Sequence, residues 1–257
     1  MRGGALGDGP LWDLSAGTGW SEAEVAVLLL PGVGGGVADF ALWPRHLTSA
    51  VRALTARYPG RGGTDAREPA ADLADFAAHL AEAVAFHVTE PLVILGHSMG
   101  AVIGYEVAWH LERRGRPALA LHVCAAFSPP EYAAFDLNCR SLTDGSLAEL
   151  ADALAIPLPG DERAPERRVA LRAVRSDLTL IDAYGYGPSP RALEYPVTVW
   201  TARDDTIVPA ASAPLWQPMT RHPLVHHVLP VPHHCLDFPQ AIAPIAGALR
   251  GGLQHPR

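Results

Sequence analysis

The stretch that most restricts this chain runs from Pro91 to Gly115, PLVILGHSMGAVIGYEVAWHLERRG. Pro91-Leu92-Val93-Ile94-Leu95 is a short apolar run without alternation, the pattern of a parallel strand covered on both faces. Gly96-His97-Ser98-Met99-Gly100 follows directly. From Ala101 apolar residues return at helical spacing, at Val102, Ile103, Val107, Ala108 and Leu111. Arg113 and Arg114 fall in the last turn and Gly115 at the stop, which suits a helix C-terminus. A turn this tight leaves no room for side chains at 96 and 100, hence the two glycines. It lifts the Ser98 hydroxyl clear of its own backbone. It also aims the Met99 N–H, at the helix start, toward any oxyanion forming beside the serine.

Gly-x-Ser-x-Gly between a strand and a helix is the nucleophile elbow of α/β-hydrolases. The remaining segments fit a sheet of that kind. Val25–Leu30, Val51–Arg57, Ala118–Ala126, Pro196–Thr201 and Leu224–Val231 read as strands, with a short edge strand near Leu11–Leu14 in a lead-in over residues 1–24. Asp72–Val88 is an amphipathic helix with Asp72 as its cap. Helices are also expected from Asp39, interrupted by Pro44, near Ala210–Met219, and over Pro239–Leu249. Strands alternating with helices imply a mainly parallel sheet flanked by helices. Between residues 127 and 191 the alternation stops: helical patterns occur near Ser146–Ala155 and Pro165–Tyr184, with no strand-like run. An insertion of this size after a sheet strand reads as a helical lid. The 257 residues suit one α/β-hydrolase domain.

A serine hydroxyl needs a base, and the base needs an orienting acid. The order Ser…Asp…His belongs to this fold. Ser98, Asp205 and His234 follow it, each just after a strand, so all three can meet at the carboxyl edge of the sheet. Asp204 competes with Asp205. Hydrolase acids are commonly followed by two residues and then a β-branched apolar one, and Asp205-Thr206-Ile207-Val208 fits that spacing. His233 competes with His234, and the apolar Cys235-Leu236 after His234 favours that residue. The loop Pro31-Gly32-Val33-Gly34-Gly35-Gly36 follows a core strand and is the source expected for a second oxyanion N–H, assigned to Val33 beside that of Met99. Valine at 37 breaks the dinucleotide-binding glycine pattern there.

Several classes are excluded. The net charge of −7 and the lack of any basic run argue against nucleic acid. All 20 basic residues are arginine, so there is no Walker lysine and no Schiff-base lysine. Cys124, Cys139 and Cys235 are odd in number and widely spaced, giving neither a disulfide framework nor a metal signature. His222, His226 and His227 match no common zinc ligand set. No apolar run approaches a membrane span, and the N-terminus lacks a signal-peptide core, so a cytoplasmic location is expected.

Taken together the chain resembles the stand-alone type II thioesterases of polyketide and nonribosomal peptide assembly lines, from about Leu28 to Phe238. Gly96-His97-Ser98-Met99-Gly100-Ala101 matches that family's elbow, and Tyr58-Pro59-Gly60-Arg61-Gly62 its characteristic turn, with Glu68-Pro69 soon after. Leu142-Thr143-Asp144, Leu147 and Leu150 are similar to its lid. Val174-Arg175-Ser176-Asp177 and Tyr184 are similar to the segment before its acid strand. Macrocycle-forming thioesterases often carry the acid nearer the serine, where this chain has Ala125-Ala126-Phe127-Ser128 and no carboxylate. The resemblance implies hydrolysis of an acyl thioester on the phosphopantetheine arm of an acyl or peptidyl carrier protein, without a cofactor. The rival readings are an acyltransferase or cyclase of the same fold, a small-ester esterase, and a catalytically dead binding protein.

Overall fold

A computed structural model describes residues 4–6, 9–15, 23–58, 72–187 and 191–251. Eight strands form one sheet: β1 (Gly4–Ala5), β2 (Leu11–Asp13), β3 (Val25–Leu30), β4 (Val51–Ala56), β5 (Leu92–His97), β6 (Ala120–Cys124), β7 (Val197–Ala202) and β8 (Val225–Leu229). Their spatial order is β1-β2-β4-β3-β5-β6-β7-β8. β1 and β2 are antiparallel, and every pairing from β4 to β8 is parallel. This is the α/β-hydrolase architecture expected from the elbow.

The apolar runs are explained by cover on both faces. In β3 the side chains of Ala26, Leu28 and Leu30 enter one core, with α1 (Leu73–His87) and α2 (Met99–Arg113). Val25, Val27 and Leu29 enter the opposite core, with Phe40, Trp43 and α6 (Pro239–Gly251). Burying each such leucine contributes roughly 1.5–3 kcal/mol. Asp72 caps α1 as expected, accepting from the Ala74 N–H at 2.7 Å. Two expected helices are corrected. The segment from Asp39 forms two short 3₁₀ turns, Val37–Phe40 and Trp43–Arg45, and Ala210–Met219 is 3₁₀ throughout. Prolines lie inside these segments, Pro44 in one and Pro214 and Pro218 in the other, and proline cannot donate an α-helical bond.

The insertion is helical: α3 (Pro129–Tyr132), a 3₁₀ turn at Cys139–Ser141, α4 (Asp144–Ala153) and α5 (Pro165–Asp182). Side chains knit it together. Asp182 accepts from the Leu137 and Cys139 N–H groups at 2.8 and 2.7 Å. Arg175 donates to the Cys139 and Leu142 carbonyls and to Asp144. Its exit is pinned to α2, where the buried Glu106 accepts from the Tyr184 hydroxyl at 2.6 Å and from both terminal nitrogens of Arg191. The Tyr-Pro-Gly-Arg turn lies outside the described residues beyond Tyr58, as does Glu68-Pro69. Among the described residues no helix is long and apolar enough to cross a membrane.

Candidate active site

Strand order reverses at β3, whose neighbours are β4 on one side and β5 on the other. The crevice at the carboxyl ends of strands flanking such a switch point is where open α/β sheets bind ligands. Here β5 delivers Ser98 and β3 delivers the loop from Pro31.

Ser98 stands at φ 52°, ψ −124°, a conformation costing of order 1–3 kcal/mol for a residue with a side chain. The glycines make it attainable. A Cβ on Gly96 would lie 2.3 Å from the Gly100 carbonyl oxygen, and one on Gly100 would lie 2.3 Å from the Leu30 oxygen. The Ser98 N–H donates to the Cys124 carbonyl at 2.9 Å, fixing the turn to β6.

The structure brings Ser98 and Asp205 together through His233. His233 Nδ1 is 2.8 Å from Asp205 Oδ2, and His233 Nε2 is 3.3 Å from Ser98 Oγ. This corrects the expectation for His234. The His234 ring also borders the cavity, but its Nε2 is buried without a hydrogen-bond partner. The reason is local backbone geometry. The His233 carbonyl accepts from His97 Nε2–H at 2.9 Å and from the Cys235 N–H at 2.7 Å. With that peptide fixed, consecutive side chains diverge, one toward Ser98 and the next away. Cys235-Leu236 lie in a 3₁₀ turn over Cys235–Asp237, and α6 starts at Pro239 as expected.

Asp205 is the carboxylate in reach, and Asp204 is exposed. Asp205 Oδ1 accepts from the Ile207 and Val208 N–H groups at 2.8 and 2.9 Å, and its side chain is fully buried. Burial by itself raises its pKa. The bonds from His233, Val208 and Ile207 and the charge of His233 more than offset this, leaving the carboxyl below its ordinary value. His97 is pushed down to about 3, chiefly by burial and then by the charge of His233, so it stays a neutral donor.

The Pro31 loop lies directly over the nucleophile. A Cβ on Gly32 would approach Ser98 Cβ to 3.2 Å and His97 Nδ1 to 2.9 Å. The Tyr58 hydroxyl donates to the Pro31 carbonyl at 3.0 Å, which gives the tyrosine of the Tyr-Pro-Gly-Arg turn a physical role. A cavity of about 320 Å³ opens beside Ser98, with apolar walls from Phe127, Phe135, Leu154, Ile156, Leu178 and Ile181. All six come from the insertion. The Tyr132 hydroxyl lies 3.5 Å from Ser98 Oγ, and burial raises the phenol's pKa, so it is neutral. No sequence signal pointed to Tyr132: the capping box from Ser128 to Glu131 marks the short helix locally, but not that its last residue meets Ser98. Among the described residues no cluster of His, Cys, Asp and Glu could hold a metal.

The chain matches the thioesterase-domain family over residues 26–238. It belongs to that family of hydrolases. A probable cadicidin biosynthesis thioesterase of Streptomyces griseus is 29% identical over 206 residues, 79% of this chain and 56% of that protein. This thioesterase thus spans little more than half the length of that relative. Gramicidin S biosynthesis protein GrsT of Aneurinibacillus migulanus is 23% identical over 202 residues, 78% of each chain. Among solved structures, the RedJ thioesterase from the prodiginine pathway of Streptomyces coelicolor superposes with a TM-score of 0.80. It is 28% identical, covering 91% of this chain and 87% of its own. The type II thioesterase BorB from the borrelidin cluster gives 0.78 at 26% identity, covering 91% and 96%. The family resemblance, read from the elbow in combination with the Tyr58-Pro59-Gly60-Arg61-Gly62 turn, is therefore borne out.

Proposed function

We propose that this thioesterase is of type II, hydrolysing acyl groups from the phosphopantetheine arm of acyl or peptidyl carrier proteins in polyketide or nonribosomal peptide biosynthesis. The observation that carries the catalytic part is the continuous chain Ser98–His233–Asp205, with both contacts of one imidazole satisfied. The carrier-bound substrate is inferred from the relatives' pathways.

In this reading Asp205 holds the Nδ1–H of His233, leaving Nε2 to take the Ser98 proton as Oγ attacks the thioester carbonyl. The Met99 and Val33 N–H groups stabilise the resulting oxyanion. The C–S bond then breaks, the thiol leaves with the proton from His233, and Ser98 holds the acyl group as an ester. Water, deprotonated by His233, attacks that ester; the acyl C–Oγ bond breaks, His233 returns the proton to Ser98 Oγ, and the acid leaves. The steps balance without any cofactor. The apolar cavity beside Ser98 suits the acyl chain, since burying it excludes water from all but the reacting carbon.

Mass spectrometry of an acylated carrier protein incubated with the enzyme is the decisive experiment. Free acid and free-thiol carrier are expected with intact Ser98, and neither with Ser98→Ala. Release as an amide, ester or lactone would move the protein to the transferase or cyclase class. Hydrolysis of simple esters alone would make it an esterase. Turnover by a folded Ser98→Ala variant would end the serine mechanism.

A further inference from the structure

Nothing in Val33 itself fixes the direction of its N–H; the peptide planes around it do. The Gly32 carbonyl accepts from the Gly35 N–H at 3.1 Å, closing a turn with Gly34 at φ +74° in its third position, as a type II turn requires. Across a planar trans peptide the N–H points opposite to the carbonyl. The tethered Gly32 carbonyl therefore sends the Val33 N–H the other way. The next plane is held from outside the loop. The Gly34 N–H donates to Asp177 Oδ2 at 2.8 Å, and Asp177 is 1% exposed.

Asp177 belongs to α5 of the insertion, 143 residues from Gly34. The contact is reinforced by packing. A Cβ on Gly34 would lie 3.1 Å from Ile156 Cγ2 and 3.2 Å from Val174 Cγ2, both also from the insertion. On the far side of the turn, Asp39 accepts from the Gly36 N–H at 3.1 Å. The Gly34 loop is thus clamped between two carboxylates, and the buried one comes from the element that also walls the cavity.

We propose that Asp177 is a positioning residue for the oxyanion loop: its carboxylate holds the Gly34 N–H and thereby orients the Val33 N–H toward the oxyanion. This rests on the reading of Ser98 as nucleophile and Val33 as oxyanion donor. A charge-assisted bond to a backbone N–H is stronger and more directional than a neutral one. It also makes α5 part of the catalytic frame, because α5 cannot leave the loop without releasing that peptide.

Asp177→Ala and Asp177→Asn test this on a thioester substrate, with circular dichroism to check folding. The alanine variant should lower kcat about tenfold or more, since an oxyanion donor is misdirected, with KM within about twofold. The asparagine variant should recover most of that loss, because its carboxamide oxygen can accept the same N–H. Unchanged kcat in a folded alanine variant would overturn the proposal, as would a loss carried by KM, or asparagine performing no better than alanine. If both variants fail to fold, the amide resonance of Gly34 in the unaltered enzyme decides. A protected, downfield amide that moves as a carboxyl titrates supports the proposal, and a freely exchanging one overturns it. Fluorophosphonate labelling of Ser98 in the unaltered enzyme reports separately on the nucleophile, so failure of the triad is distinguishable from failure at Asp177.

Discussion

The His233 ring spans from Asp205 Oδ2 at 2.8 Å to Ser98 Oγ at 3.3 Å, while the Nε2 of its neighbour His234 is buried without a hydrogen-bond partner. His233→Ala should lower kcat/KM by roughly 10³-fold or more. His234→Ala removes a ring from the cavity edge and should lower it less than about tenfold, without the general base. Steady-state kinetics on the two purified variants separates them. The opposite ranking would restore His234 as the base.

The acid pair should separate as cleanly. Asp205→Asn keeps the shape but leaves the histidine with the wrong tautomer, and kcat should fall by roughly 10³–10⁴-fold. Asp204 is exposed, and Asp204→Asn should stay within about twofold of the parent. A larger loss at 204 than at 205, measured on the same substrate, would contradict the assignment.

Two glycines of one helix should behave oppositely. A Cβ at Gly100 meets the Leu30 and Pro31 carbonyl oxygens at 2.3 and 2.5 Å, and backbone cannot step aside. Gly100→Ala should lose about 3 kcal/mol or more and the reactivity of Ser98. At Gly104 the nearest atom is Ile94 Cγ2 at 3.1 Å, a side-chain methyl that can give. Gly104→Ala should remain within about 1 kcal/mol of the parent, because alanine also favours the helix. Chemical denaturation of both reads the difference.

Stability should fall on mild acidification. Burial lowers His97 to about 3 and His122 to about 4. The unfolded chain therefore takes up protons that the folded one refuses. The stability each neutral ring allows is complete above its ordinary value of 6.5 and is lost as pH falls toward the folded value. Between pH 7 and pH 5 each should remove about 2 kcal/mol. Asp205, lowered instead from its ordinary 3.8, adds to this only below that pH. His122 Nδ1 accepts from Trp200 Nε1–H at 3.1 Å, so protonation there also breaks a buried bond. Guanidinium unfolding at pH 7, 6 and 5 checks the slope, and His122→Gln should flatten it by about half.

The sequence by itself determined the sheet and the elbow, and it put Ser98 and Asp205 forward as candidates. These are local matters. A both-faces-buried strand needs an unbroken apolar run, a turn with no space for Cβ needs glycine at 96 and 100, and the spacing Asp205-Thr206-Ile207-Val208 favours position 205 over 204. Tertiary structure decided which of two adjacent histidines turns inward, because that depends on His97 from another strand holding the His233 carbonyl. It likewise decided that Tyr132 faces Ser98 and that Asp177, distant in sequence, grips Gly34. Neither partner of such a contact carries a local mark of it: a hydrogen bond across 143 residues is written only in the packing that brings its ends together.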